Sequence, residues 1–402
     1  MQNNRRGGFG RRSSRPRRPF FQKRPKVKGP GFFNPEELCS NQGCPKYSQK
    51  KAKAQVVRHQ FKDFNFTAVI ANNLNKNGYS MPTPIQDQAI PQIMVGRDVI
   101  GLANTGTGKT AAFLLPLIHK VLVDQNRTQK VLIISPTREL AFQIRNEFEK
   151  FANGANLRSI LAIGGVNINH QIKQLSKPFD FVIGTPGRVL DLSNKNKLDL
   201  SCFSNIVLDE VDQMLDMGFI HDIKKIIAQL SVKRQSLFFS ATMNEAANEI
   251  AQRFLTSPLT INVRVEETTD NVQQSIVRLE GRSKSEVLNE ILTTSKCQKT
   301  LVFTRTKHGA NKVVKNLMAG GFRVGAIHGN KAQNYRLRML DMFKNDQIQI
   351  LVATDVASRG LDIRNITHVI NYDLPACKED YIHRIGRTGR ADQKGVAISL
   401  VE

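Results

Sequence analysis

Short, almost wholly apolar runs recur along the chain from residue 61 onward. They are Asp98-Val99-Ile100, VLIIS (131–135), FDFVIG (179–184), NIVLDE (205–210) and SLFFS (236–240). Between them lie stretches with helical period. In RELAFQIRNEFEKF (138–151), Leu140, Ile144, Phe148 and Phe151 fall on one face. Apolar strands alternating with amphipathic helices predict a parallel sheet covered on both sides. The rhythm pauses in RVEETTDNVQQS (264–275), a polar stretch that reads as a linker. It resumes with TLVFT (300–304), VGAIHG (324–329), IQILVAT (348–354), HVINY (368–372) and VAISLV (396–401). The expected architecture is α/β: two tandem parallel-sheet domains, 61–263 and 276–402, joined by the linker.

Residues 1–60 have a different texture. The first thirty are rich in Arg, Gly, Ser and Pro and show no hydrophobic period, so they have no means of packing a core. Residues 1–60 hold 16 Lys or Arg against Glu36 and Glu37, a net +14 of the +25 carried by the 402 residues. A disordered basic extension is expected, suited to loose RNA contact, with Phe9, Phe20 and Phe21 able to stack on bases. Its prolines and glycines argue against the amphipathic helix of a mitochondrial presequence. No apolar run is long enough to span a membrane, and no secretory signal is visible. The five cysteines are few and mostly scattered, which suits a reducing compartment, with the cytoplasm as the default. Cys39 and Cys44 have no second pair of metal ligands behind them.

The chemistry sits at the ends of the predicted strands. ANTGTGKT (103–110) follows the first strand and opens a helix. Thr105, Gly106, Thr107 and Gly108 form a loop whose N–H groups can cradle phosphate. Lys109 would neutralise the β- and γ-phosphates, Thr110 would ligate Mg²⁺, and the helix N-terminus would favour the anion. Ala103 stands where a P-loop usually starts with Gly, and Pro116 should kink the helix. A nucleotide site needs a second strand tip to hold the metal. VLDEVDQML (207–215) supplies one, with Asp209 on the Mg²⁺ side and Glu210 as the base that deprotonates the attacking water.

DEVD following such a P-loop resembles the DEAD-box ATP-dependent RNA helicases, with many motifs in order over residues 61–401. The resemblance implies two RecA-like domains, ATP and Mg²⁺ as cofactors, and single-stranded or short duplex RNA bound largely without regard to sequence. Val211 replaces the usual alanine, and Asn104 stands where glutamine is usual; both substitutions are expected to be tolerated. Phe61 and GYSMPTPIQ (78–86) resemble the adenine-reading element, Phe61 stacking on the ring and Gln86 bonding its edge. Arg138 of PTREL, the Gly164-Gly165 pair, and Thr185, Gly187 and Arg188 of TPGR resemble RNA-backbone contacts. So do Thr304 and Arg305 of TRT, Gln333 and Arg336 of QNYR, and Thr354, Arg359 and Gly360 of ATDVASRGLDI.

In that last motif, Asp362 would face the ribose. In YIHRIGRTGR (381–390), Arg387 and Arg390 resemble arginine fingers, and His383 would link the ATP site to SAT (240–242). Ser240 and Thr242, with Asp212, would couple hydrolysis to domain movement. Family members usually continue with helical sequence beyond VAISLV. A monomer is expected, with ribonucleoprotein partners left open. Two rival readings are a DNA translocase of the same superfamily, which a 2′-OH dependence would separate, and an RNA-binding protein without ATPase activity.

Overall fold

The computed structural model describes residues 57–126, 128–264, 271–294, 297–358, 363, 365–389 and 394–402. The basic extension up to residue 56 and linker residues 265–270 lie outside them. Among the described residues, no helix is long and apolar enough to cross a membrane.

The first sheet contains β1 (Val99–Leu102), β2 (Val131–Ile134), β3 (Ser159–Ala162), β4 (Phe181–Gly184), β5 (Asn205–Leu208), β6 (Gln235–Ser240) and β7 (Leu259–Asn262). Its order is β3-β4-β2-β5-β6-β1-β7, and every pairing is parallel. Helices on both faces explain why β1, β2, β4 and β5 are buried along their whole length and read as continuous apolar runs. Parallel pairing also gathers the carboxyl ends of the strands along one edge, where ligands of open α/β sheets bind. The helix Arg138–Phe151 buries Leu140, Ile144, Phe148 and Phe151 against one face, as their spacing predicts. The helix Lys109–Val123 runs through Pro116 without a break.

The second sheet contains β8 (Val272–Arg278), β9 (Thr300–Phe303), β10 (Val324–Ile327), β11 (Ile350–Ala353), β12 (His368–Asn371) and β13 (Gly395–Val401), in the order β10-β11-β9-β12-β13-β8. It too is parallel throughout. β8 begins at Val272, inside the stretch read as linker, and pairs with β13 along its full length. Its polar sequence is allowed because it lies at the sheet edge, where most of its side chains are only half-buried. β3 and β7 also have no counterpart among the apolar runs. Both are edge strands, and the pattern along β7 is mostly exposed.

Beneath the first sheet, away from the strand tips, the ammonium of Lys120 donates to Asn205 Oδ1 at 2.8 Å and Gln235 Oε1 at 2.6 Å. Burial pushes its pKa down to about 8. Gln235 donates in turn to the carbonyls of Ile93 and Arg97. The helix that begins at Lys109 is thus tied at its far end to β5 and β6. Lys120→Ala strands two amide oxygens and is expected to lower unfolding stability by about 1–3 kcal/mol, measured by urea denaturation.

Candidate active site

β1 ends at Leu102, and the next residue, Ala103, bonds through its N–H to the Ser240 carbonyl at 3.1 Å. The chain then loops through Gly106 and Gly108, whose φ values of 85° and 91° are left-handed. A Cβ at Gly108 would also collide with the amide of Gln86, so glycine is required there by backbone and space together. Thr107 closes the loop by donating to the Asn104 carbonyl at 2.8 Å. Lys109 is buried, and its ammonium folds back to the Ala103 carbonyl at 3.0 Å. Gln86 is anchored twice: its Oε1 accepts from Thr83 N at 3.0 Å, and its Nε2 donates to the Gly108 carbonyl at 3.1 Å. One amide hydrogen and one lone pair remain for a ligand edge.

At the tip of β5, Asp209 N still bonds the Ile134 carbonyl of β2. The next residue, Glu210, has a φ of 52°, a strained value for a non-glycine residue, and this turns the chain sharply into the helix Val211–Asp216. Asp209 and Glu210 are 2% and 3% exposed, yet Asp209 Oδ1 and Glu210 Oε2 have no hydrogen-bond partner. Burial pushes the Asp209 carboxyl above its ordinary range, against the pull of Lys109. Burial also pushes Glu210 up to about 7; Lys109 and Arg387 draw it down, while Asp209 and Asp212 add repulsion. Orphaned, desolvated carboxylate oxygens fit a hard divalent cation. Among the described residues no three His, Cys, Asp or Glu side chains converge. A cation bound here would take few ligands from the protein. Thr110 and Asp209 line the same cavity of about 380 Å³ as Thr83, Gln86, Thr105, Gly106, Gly108, Lys109 and Glu210.

Asp212 meets the end of β6. Its Oδ2 accepts from Ala241 N at 3.0 Å, Thr242 N at 2.9 Å and Thr242 Oγ1 at 3.3 Å, while its N–H donates to Ser240 Oγ at 3.3 Å. Val211 is fully buried in the core cluster that contains Leu208, Met214 and Phe238.

A second edge of the cleft is cationic. The Arg138 guanidinium lies over Gly164 and Gly165; Gly165 has φ 74°, and a Cβ there would collide with Arg138 Nη1. Arg188 Nη1 donates to the Val166 carbonyl at 3.2 Å. Thr185 precedes the helix Pro186–Asn194, and Gly187 on its first turn is exposed. In the second domain Arg305 is exposed and Thr354 half-buried.

A family model described as DEAD/DEAH box helicase matches residues 83–250, and one described as helicase conserved C-terminal domain matches residues 283–392. The chain belongs to the DEAD-box helicase family. It is 43% identical over 344 residues to the ATP-dependent RNA helicase CshA of Listeria monocytogenes, covering 85% of this chain and 66% of that relative. To the ATP-dependent RNA helicase CshA of Limosilactobacillus reuteri it is 42% identical over 343 residues, covering 85% of this chain and 69% of the relative. The chain thus spans about two thirds of the length of these relatives, just under it for the first. Among solved structures it is similar to S. cerevisiae Dbp5 bound to RNA and ADP BeF3, with a TM-score of 0.74 and 29% identity over 86% of this chain and 90% of that one.

Several residues of this DEAD-box protein sit otherwise than their motifs suggest. Phe61 does not line the cavity. It is buried behind Tyr79, edge-on to Tyr79 at 6.2 Å and to Phe64 at 6.1 Å, and Tyr79 takes the lining position. Thr304 is buried, its hydroxyl turned to the Thr306 carbonyl. Gln333 and Arg336 are also buried: Gln333 Nε2 donates to Glu139 Oε1 at 2.7 Å, and Arg336 pairs with Glu139 Oε2 at 2.9 Å. A buried carboxylate needs such partners, and these come from the opposite domain.

His383 is exposed on the helix Lys378–Ile385, while Arg384 turns inward. Adjacent helical residues point about 100° apart, so only one of them can face the core. Arg384 holds both oxygens of Asp355, at 2.5 and 2.7 Å, and also Asn371 Oδ1 and the Asp373 carbonyl. Arg359, Gly360, Asp362 and Arg390 lie outside the described residues. Glu139, Tyr79 and Arg384 all stand inside the quoted motifs, so adjacency to assigned residues was the signal that could have found them.

Because the folded-state pKa of Glu210, about 7, lies above its ordinary 4.5, the folded protein binds this proton more tightly than the unfolded chain does. Its contribution to stability therefore declines as pH rises from about 4.5 to 7. Glu210→Gln is expected to raise the Tm of the nucleotide-free protein more at pH 8 than at pH 5, checked by thermal unfolding at both.

Proposed function

We propose that this chain is an RNA-dependent ATPase that locally unwinds short RNA duplexes, or remodels RNA–protein complexes, by closing two domains on single-stranded RNA. One observation carries the reading. The buried carboxylates and Lys109 belong to the first domain, and Glu139 of that domain accepts from Gln333 at 2.7 Å and pairs with Arg336 at 2.9 Å, both from the second. On this reading Arg387 of the second domain completes the reacting centre when the two domains close.

Gln86 bonds the adenine edge with its remaining donor and acceptor, Tyr79 faces the ring with Phe61 packed behind it, and Asp362 holds the ribose. Lys109 leaves the Ala103 carbonyl for the phosphates. Thr110 and Asp209, which line one cavity, would hold Mg²⁺, and the ion would neutralise charge at the phosphate oxygens. Glu210 orients the attacking water and takes its proton. Arg387 and Arg390 stabilise the charge that develops at the γ-phosphate, an effect that reaches ~10³–10⁵ in rate for arginine fingers. RNA lies across Arg138, Gly165, Thr185, Gly187 and Arg188 of the first domain and Arg305, Thr354, Arg359 and Gly360 of the second. Contacts of these kinds are made to the backbone, so binding is largely blind to sequence. Glu139, held by Gln333 and Arg336, latches the domains beside that path. Asp212, Ser240 and Thr242 pass the state of the β5 tip to the end of β6.

ATP hydrolysis measured with and without single-stranded RNA at fixed salt tests this directly. Strong RNA stimulation is expected, with Glu210→Gln lowering it by ~10²-fold or more. Equal rates with and without RNA, while RNA still binds, would leave an ATP-gated RNA clamp instead. Gly165→Ala displaces Arg138. It is expected to raise the RNA concentration needed for half-maximal stimulation on the order of tenfold, with the KM for ATP unchanged.

A further inference from the structure

Asp87 follows Gln86 on the first turn of the helix Pro84–Met94 and is 3% exposed. Its carboxylate accepts three hydrogen bonds from one short segment. Arg58 N donates at 3.2 Å, His59 N at 2.8 Å, and His59 Nδ1 lies 2.9 Å away. Two of the three come from the main chain, so the path of the backbone is held whatever the side chains there do. Burial alone would push this carboxyl up, but the bonds from the His59 and Arg58 backbone and the His59 ring hold it below its ordinary range. Its place in the first turn of a helix favours the negative charge as well.

The segment leads at once into the turn Phe61–Phe64, closed by Gln60 N donating to Asp63 Oδ2 at 2.7 Å. Phe61 and Phe64 then enter the aromatic cluster with Tyr79 and Phe66. Asp87 therefore fastens the turn that carries Phe61 to the helix that carries Gln86. Gln86 is itself bonded onward to the phosphate loop at Gly108.

We infer that Asp87 is a positioning residue for adenine recognition: it fixes the Phe61 turn, on which the cavity-lining ring of Tyr79 rests, against the helix that carries Gln86, without touching the nucleotide. The inference rests on the adenine pocket proposed above. A ring and an amide distinguish one base edge only when they are held a fixed distance apart. A free segment at 58–60 would have to be ordered on each binding event, at the expense of affinity. The contact is absent from the motifs because it joins residues 28 and 29 positions apart through a side chain next to the assigned one.

The test compares Asp87→Ala, Asp87→Asn and Gln86→Ala for the ATP dependence of hydrolysis at saturating single-stranded RNA, the ratio of ATP to GTP use, and Tm. Asp87→Ala is expected to raise the KM for ATP by about tenfold or more, to affect kcat much less, and to narrow the preference for ATP. Asp87→Asn, which keeps one acceptor oxygen, should fall between. An unchanged KM in Asp87→Ala, with Gln86→Ala still impaired, overturns the role of Asp87 and leaves the pocket standing. A lower Tm with unchanged KM and unchanged ATP preference assigns Asp87 to stability alone and overturns the inference too. An unchanged KM in Gln86→Ala removes the adenine pocket itself, and the inference with it.

Discussion

Two carboxylates buried side by side at the tip of β5, with oxygens that nothing in the protein satisfies, are the constraint around which this structure is arranged. Desolvated negative charge is unfavourable unless it is paired. Lys109 offsets part of it, Arg387 offsets a little from the other domain, and the rest is left for a ligand. The left-handed backbone at Glu210 is part of the same arrangement. It stops β5 abruptly and presents both side chains at the edge of the sheet, with Asp212 one helical step on, bonded to the end of β6. Asp212, two residues beyond Glu210, thus joins the tip of β5 to the end of β6.

The groups assigned to nucleotide binding are not idle. Lys109 is bonded to the Ala103 carbonyl and Gln86 to Gly108 and Thr83. In the proposed role Lys109 exchanges a protein bond for a ligand bond, so its net gain is smaller than the contact itself would suggest. Gln86 keeps its anchors and uses only what they leave over. Such anchoring gives rigidity: the side of the cleft proposed to take adenine is a chain of bonds running from residues 58 and 59 through Asp87 and Gln86 to Gly108. The sheet beneath is equally constrained, since Lys120 ties the far end of the phosphate-loop helix to β5 and β6.

Much of this was legible in the chain. Central parallel strands are buried on both faces, so β1, β2, β4, β5 and β6 announce themselves as apolar runs, and the loops at their tips carry their chemistry in contiguous letters. Edge strands obey no such rule. β8 reads as polar linker and β7 is mostly exposed, because a strand with only one neighbour need not be apolar.

The sequence by itself determined the two α/β domains, the phosphate loop and the acidic strand tip, because local periodicity and closely spaced residues encode each of them. Only the tertiary structure decided which side chains meet. It turned Gln333 and Arg336 toward Glu139, across a separation of 194 residues for Gln333, and it set Arg384 rather than His383 inward. It also placed Tyr79 in front of Phe61 and joined Asp87 to the segment at 58–59. In each case a buried polar group or ring needed a partner, and the partner available was fixed by how the elements pack in space, which spacing along the chain does not record.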